Sequence, residues 1–117
     1  MAKHGELEGA VLAVLWDTPD GATGRDVQLA LPGSELAITT VLTVLDRLQR
    51  KGMARRSREG RSHRYFAARS REDYLSDVMA EALGRSDDRA AVLARFVGSM
   101  PEEDTEALRR LLRRRRT

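Results

Sequence analysis

Apolar positions recur with a helical period along most of the chain and lose that period once. Leu7, Ala10, Val11, Val14 and Leu15 follow the i, i+3, i+4, i+7 spacing of an amphipathic helix, which Asp17-Thr18-Pro19-Asp20-Gly21 ends. Thr23 then has the side chain of an N-cap, and Asp26, three residues on, supplies the carboxylate of a capping box. The short helix opened there turns Val27, Ala30 and Leu31 inward and stops before Pro32-Gly33. A third helix is expected from Glu35 to Lys51, with Ile38, Val41, Val44, Leu45 and Leu48 as its apolar stripe and Gly52 as its stop.

The helical period breaks after Gly52. Met53 to Arg58 and Ser62 to Ala67 flank Glu59-Gly60-Arg61, which predicts a small β-hairpin that needs something to pack on. Alternation along its second strand turns one of Tyr65 and Phe66 inward, so these aromatics pack the hairpin onto the helices rather than stack on bases. Helical spacing returns at Ser70, with Asp73 at the capping-box position and Leu75, Val78, Met79, Ala82 and Leu83 as the stripe. Ser86 opens a further helix carrying Ala90, Leu93, Phe96 and Val97. Pro101 starts the last one, with Leu108, Leu111 and Leu112 on one face.

Charge sharpens this outline. From Arg47 to Arg69 nine Lys or Arg stand against one acid, Glu59, a local net charge of +8. From Ser70 to Leu108 four Arg stand against ten acids, and from Arg109 onward six Arg stand against none. The chain thus runs basic, acidic, basic, and its first basic block has the strength of a phosphate-binding surface. Composition excludes other classes. The chain has 117 residues and no cysteine, so disulfides, thiolate metal sites and thiol redox chemistry are out. Its two histidines, His4 and His63, lie far apart, which leaves little from which to build a metal site or a nucleophile–base pair. No enzyme, cofactor or metal is expected. Paired acids such as Asp87-Asp88 and Glu102-Glu103-Asp104 fall at helix starts, where the helix dipole favours them without catalysis. No apolar run approaches the roughly 18 residues of a membrane span and no signal-peptide pattern opens the chain, so a cytoplasmic protein without membrane insertion is expected.

Three helices followed by a hairpin is the order of a winged helix-turn-helix, whose third helix enters the major groove of DNA. With Ile38, Val41, Val44, Leu45 and Leu48 in the core, Thr39, Thr40, Thr43, Arg47 and Arg50 lie toward the opposite face. Threonine can hydrogen-bond phosphates or base edges, can meet a thymine methyl with its own, and is short enough for close approach. Arg47, Arg50 and Lys51 at the helix end, and Arg58, Arg61 and Arg64 around the hairpin tip, suit phosphate contacts. His63 either touches phosphate or pairs across the hairpin.

The stretches Glu6-Leu-Glu-Gly-Ala-Val-Leu-Ala-Val-Leu-Trp16, Leu36-Ala-Ile-Thr-Thr-Val-Leu-Thr-Val-Leu-Asp-Arg-Leu48 and Arg50-Lys-Gly52 resemble the penicillinase-repressor family, the β-lactamase and methicillin-resistance repressors of bacteria. Gly60-Arg-Ser-His-Arg-Tyr65 and Glu106-Ala-Leu-Arg-Arg-Leu111 extend the resemblance over nearly the whole chain. Its most specific part is the Thr-Thr-Val-Leu-Thr run followed by Arg-Leu. The resemblance implies a homodimeric transcriptional repressor that binds palindromic operators and is released when a membrane sensor-protease detects β-lactam and cleaves its C-terminal region. Where well-studied members are cleaved at an Asn-Phe bond, this chain has Arg95-Phe96. The copper-responsive branch carries C-terminal cysteine pairs, and their absence here excludes that route.

The expected architecture is mainly α with one small β-hairpin: a winged-helix DNA-binding domain over residues 1–69 and a helical dimerisation region over 70–117. Leu, Ile, Val and Phe make up only 26 of the 117 residues, so the core is thin. Leu75, Val78, Met79, Leu83, Leu93, Phe96, Val97, Leu108, Leu111 and Leu112 lack partners in so short a segment, and a second copy would cover them. The alternative is a winged-helix protein–protein module without DNA binding, which would have no use for so basic a wing. The terminal run Arg113 to Arg116 is either a DNA- or partner-binding tail or a solubilising end.

Overall fold

The structure, a computed structural model, describes residues 4–33 and 35–115, so the last arginine of the terminal run, Arg116, lies outside the described residues. It is mainly helical with one two-stranded antiparallel hairpin, in the order α1 (His4–Asp17), α2 (Gly24–Ala30), α3 (Ile38–Arg50), β1 (Ala54–Glu59), β2 (Ser62–Ala67), α4 (Arg71–Gly84), α5 (Arg89–Gly98) and α6 (Glu102–Arg115). The chain forms two compact units, the first ending at Ser76 and the second beginning at Asp77.

The core of the first unit lies between α1, α2, α3 and the base of the hairpin. Val11, Leu12, Leu15, Val27, Leu31, Val41, Val44, Leu45, Leu48, Met53, Ala54 and Tyr65 are buried there. On α1 the buried stripe is Glu8, Val11, Leu12 and Leu15, whereas Leu7, Ala10 and Val14 are only partly covered. The helix is thus rotated from the face first expected: residues 10–16 are apolar all round, and Leu12 takes the core in place of Leu7, Ala10 and Val14, carrying Glu8 inward with it. Glu8 is tolerated inside because Lys51 Nζ lies 2.9 and 3.1 Å from its two carboxylate oxygens. On α3 the same comparison moves Ile38 out of the core. It is 36% exposed and lies beside Gly24, where α2 and α3 approach closely.

Local chemistry fixes the element ends. Thr23 Oγ1 accepts from Asp26 N–H and Asp26 Oδ2 accepts from Thr23 N–H, each at 3.0 Å, a reciprocal capping box at the start of α2. Ser70 and Asp73 repeat it at the start of α4. On α5 the cap is Asp88 rather than Ser86; Ser86 Oγ instead accepts from Asp88 N–H. In the hairpin Glu59 pairs with Ser62, leaving a two-residue turn that starts with Gly60 at φ +63, a left-handed position that suits glycine. The hairpin is also tied to the loop before α2, where Ala22 and Tyr65 exchange two backbone hydrogen bonds of 3.0 and 2.8 Å.

The first unit continues seven residues beyond the 69/70 boundary. Tyr74 on α4 packs edge-on against Trp16 with ring centroids 6.0 Å apart, its hydroxyl donates to the Gly5 carbonyl, and Arg71 stacks over the indole at 4.6 Å. Trp16 Nε1 donates to the Arg69 carbonyl at 2.9 Å. The first turn of α4 therefore belongs to α1. In the second unit α5 and α6 bury no residue, and neither does α4 along its length. Of the expected dimerisation residues, Leu83 and Leu108 are half-buried and the other eight are exposed.

Candidate nucleic-acid interface

The exposed face of α3 is built by its buried one. With Val41, Val44, Leu45 and Leu48 turned into the core, Thr39, Thr40 and Thr43 are left exposed and Arg47 half-exposed. All four line one open groove of about 290 Å³, together with Leu7 from α1 and the edge of Val44. Thr43 Oγ1 donates to the Thr39 carbonyl at 2.8 Å, so its methyl and its oxygen lone pairs are what it offers outward. Ala37, the N-cap residue, provides no side-chain hydrogen bond, which leaves the first turn of α3 without a side-chain cap. At the other end Arg47 and Arg50 occupy the last turn, where the helix dipole favours cations.

The expected cations divide into two groups. Arg50 is highly exposed and pairs with Asp46 one turn back, at 3.0 Å on the surface. Arg61 is exposed at the hairpin turn, and Arg58 Nε folds back to the Gly60 carbonyl at 3.1 Å. Lys51 and Arg64 are instead held by the fold. Lys51 holds Glu8, and Arg64 spans from Glu59 at 2.7 Å to the Gly21 carbonyl at 3.1 Å. Arg64 thereby locks the wing to the turn before α2. That turn is itself tight: Gly21 has φ +91, and a Cβ there would stand 2.7 Å from the Phe66 ring.

Strand alternation sorts the hairpin. Ala54, Arg56, Arg58, His63, Tyr65 and Ala67 share one face by register, with Tyr65 buried at its base. His63 stands opposite Arg58 in that register. On the other face Arg55 lies over the Phe66 ring at 4.2 Å. Both aromatics are therefore structural. Two residues outside the expected contact set join this surface: Arg56, exposed on the Arg58 face, and Leu7, which walls the threonine groove. The i, i+2 register with Arg58 could have marked the first, but the second depends on how α1 crosses α3.

Among the described residues, no group of three or more His, Asp or Glu could hold a metal ion, and no helix is long and apolar enough to cross a membrane. The sequence profile of the penicillinase repressor family matches residues 4–114. The chain belongs to the penicillinase repressor family. It is 37% identical over 116 residues to the transcriptional regulator BlaI of Mycobacterium tuberculosis strain CDC 1551 / Oshkosh, covering 96% of this chain and 84% of that protein. The BlaI of strain ATCC 25618 / H37Rv matches to the same extent. In fold it is similar to YusO from Bacillus subtilis, with TM-score 0.51, 18% identity, and coverage of 92% of this chain and 71% of that one. It is also similar to a point mutant of S. aureus MepR bound to an oligodeoxyribonucleotide, with TM-score 0.50, 20% identity, and coverage of 92% and 74%. This family member is thus a winged-helix transcriptional repressor, a DNA-binding protein and not an enzyme.

Proposed function

We propose that the repressor acts as a homodimer on an inverted-repeat operator, with α3 in the major groove and the hairpin along the backbone. The observation that carries this reading is the open groove in which Thr39, Thr40, Thr43 and Arg47 share one surface. Thr39, Thr40 and Thr43 would read base edges and thymine methyls. Arg47, Arg50, Arg58 and Arg61 would contact phosphate, whereas Lys51 and Arg64 hold the α3–hairpin frame in place. The exposed apolar stripes of α4, α5 and α6 support a dimer, since a second copy would cover them. Two α3 helices related by a two-fold axis require half-sites one or more helical turns apart.

Such a protein would work in the cytoplasm, where the DNA is. Its kinship suggests β-lactam-response genes as targets and a membrane sensor-protease as the agent of release. The Arg95–Phe96 bond would have to unwind before cleavage, since it lies in the last turns of α5.

Footprinting on the promoter of the repressor's own gene, with and without substitutions, tests the reading. Thr40→Ala should cost about 1–3 kcal/mol on the operator and relax preference at particular positions. Arg61→Ala should weaken all sequences alike. With about four phosphate contacts per subunit, the log–log salt slope of the dimer should be near −7. A protected site without dyad symmetry, or Thr40→Ala binding as tightly as the parent, would refute the assignment.

A further inference from the structure

We propose that α6 pairs with α6 of a second copy in antiparallel orientation, along a seam made by Asp104, Leu108, Leu111 and Arg115. This rests on the homodimer proposed above and adds the orientation and the pairing. The four residues are spaced by four, three and four, the step pattern that keeps a seam on one side of two packed helices. The helix buries none of its residues within the chain; Leu111 is 57% exposed, and Asp104 and Arg115 are exposed at the two ends of the seam.

Charge decides the direction. Run antiparallel, two such seams set Leu108 against Leu111 of the second copy twice in the middle. Asp104 then meets Arg115 of the second copy at both ends. Run parallel, Asp104 would face Asp104 and Arg115 would face Arg115, like charges beside a leucine layer. The two helix dipoles also oppose each other favourably only in the antiparallel arrangement. The ordinary account of acids at a helix start and bases at its end is the helix's own dipole. Glu102, Glu103, Arg113 and Arg114 satisfy that account from any face. It does not explain why one acid and one base bracket the two leucines in heptad register.

The full chain contains no cysteine, so engineered thiols report without background. Asp104→Cys and Arg115→Cys proteins are made separately, mixed to allow subunit exchange, and mildly oxidised. The expected result is a disulfide dimer in the mixture and none in either protein alone. Each variant chain carries a single thiol, so no intrachain bond can form. Self-cross-linking of the Asp104→Cys protein alone would overturn the antiparallel seam in favour of a parallel one. Absence of cross-linking while sedimentation shows a dimer would overturn the seam and leave the dimer standing. A monomeric wild-type protein at micromolar concentration would remove the dimer itself. A second measurement uses charge: Asp104→Arg should raise the dimer dissociation constant about tenfold, and adding Arg115→Asp should restore it. Glu103→Arg, at the same helix end but off the seam, should change it much less. An equal loss from Glu103→Arg, or no rescue in the double variant, would assign the effect to the helix dipole and overturn the pairing.

Discussion

The two compact units carry the same kinds of apolar side chain and dispose of them in opposite ways. Up to Ser76, Leu12, Val41, Leu45 and Leu48 are fully buried, and the hairpin contributes Tyr65 to the same core. From Asp77 onward Leu93, Phe96 and Val97 remain 46%, 49% and 42% exposed on α5, a helix that is just as well formed. Helical periodicity shows that a face is apolar, but only closure shows whether the chain covers that face itself. The first unit closes because three helices and a hairpin meet at one point, so each side chain finds neighbours on several elements. The second has helices alone, of ten and fourteen residues, whose apolar stripes are wider than this chain covers.

Truncating each kind of residue should separate the two cases. Leu45→Ala opens a cavity in a closed core and should lower the stability of the first unit by about 2–5 kcal/mol at any protein concentration. Phe96→Ala should act through self-association, so its effect on thermal unfolding should shrink as protein is diluted. Thermal scans over a hundredfold range of concentration would show the difference. Equal, concentration-independent losses would mean that the second unit packs within one chain.

The Lys51–Glu8 pair offers a smaller test within the first unit. Removing its cation strands a carboxylate that is 4% exposed, so Lys51→Met should cost about 1–3 kcal/mol of stability. Because Lys51 Nζ is committed to Glu8, the salt slope of DNA binding should hardly change. Arg61→Ala should do the reverse, leaving unfolding unaltered and reducing the slope by about 1 for each subunit. A flattened slope in Lys51→Met would return Lys51 to the phosphate contacts.

How far these features were legible depends on whether a residue's role is local. The capping boxes at Thr23 and Ser70, the glycine turn at Gly60 and the α3 stripe from Val41 to Leu48 all follow from spacings within a few residues, and the chain shows them directly. The threonine face follows as the complement of that stripe. Glu8 defeats the same reasoning because a carboxylate reads as surface until its partner 43 residues away is known. Lys51 and Arg64 carry structural ties that spacing hides for the mirror reason. Counted along the chain they are two more cations in a basic block, but each is tied across the fold, to α1 and to the turn before α2. Tyr74 reads as one more position in a helix of the second region, and only its contact with Trp16 assigns it to the first.

The capping box gives the finest test, and it acts on the first unit alone. The Asp26 carboxyl is held below its ordinary value of 3.8, first by the Thr23 backbone N–H and then by the Thr23 hydroxyl, with a lesser Coulombic pull from Arg64 against a small opposing effect of desolvation. A carboxyl depressed on folding binds its proton more tightly in the unfolded chain. Its contribution to stability is therefore complete above the unfolded value and disappears as the pH falls through the folded one. Asp26→Asn removes that ionisable acceptor. The variant should unfold at a lower temperature than the parent above about pH 5, and the gap should narrow as acid is added below about pH 4. Added salt should also narrow it at neutral pH, because the group faces water. A gap of constant size from about pH 7 to about pH 3 would mean that the charge of Asp26 contributes nothing, and that only the shape of the capping box matters at the start of α2.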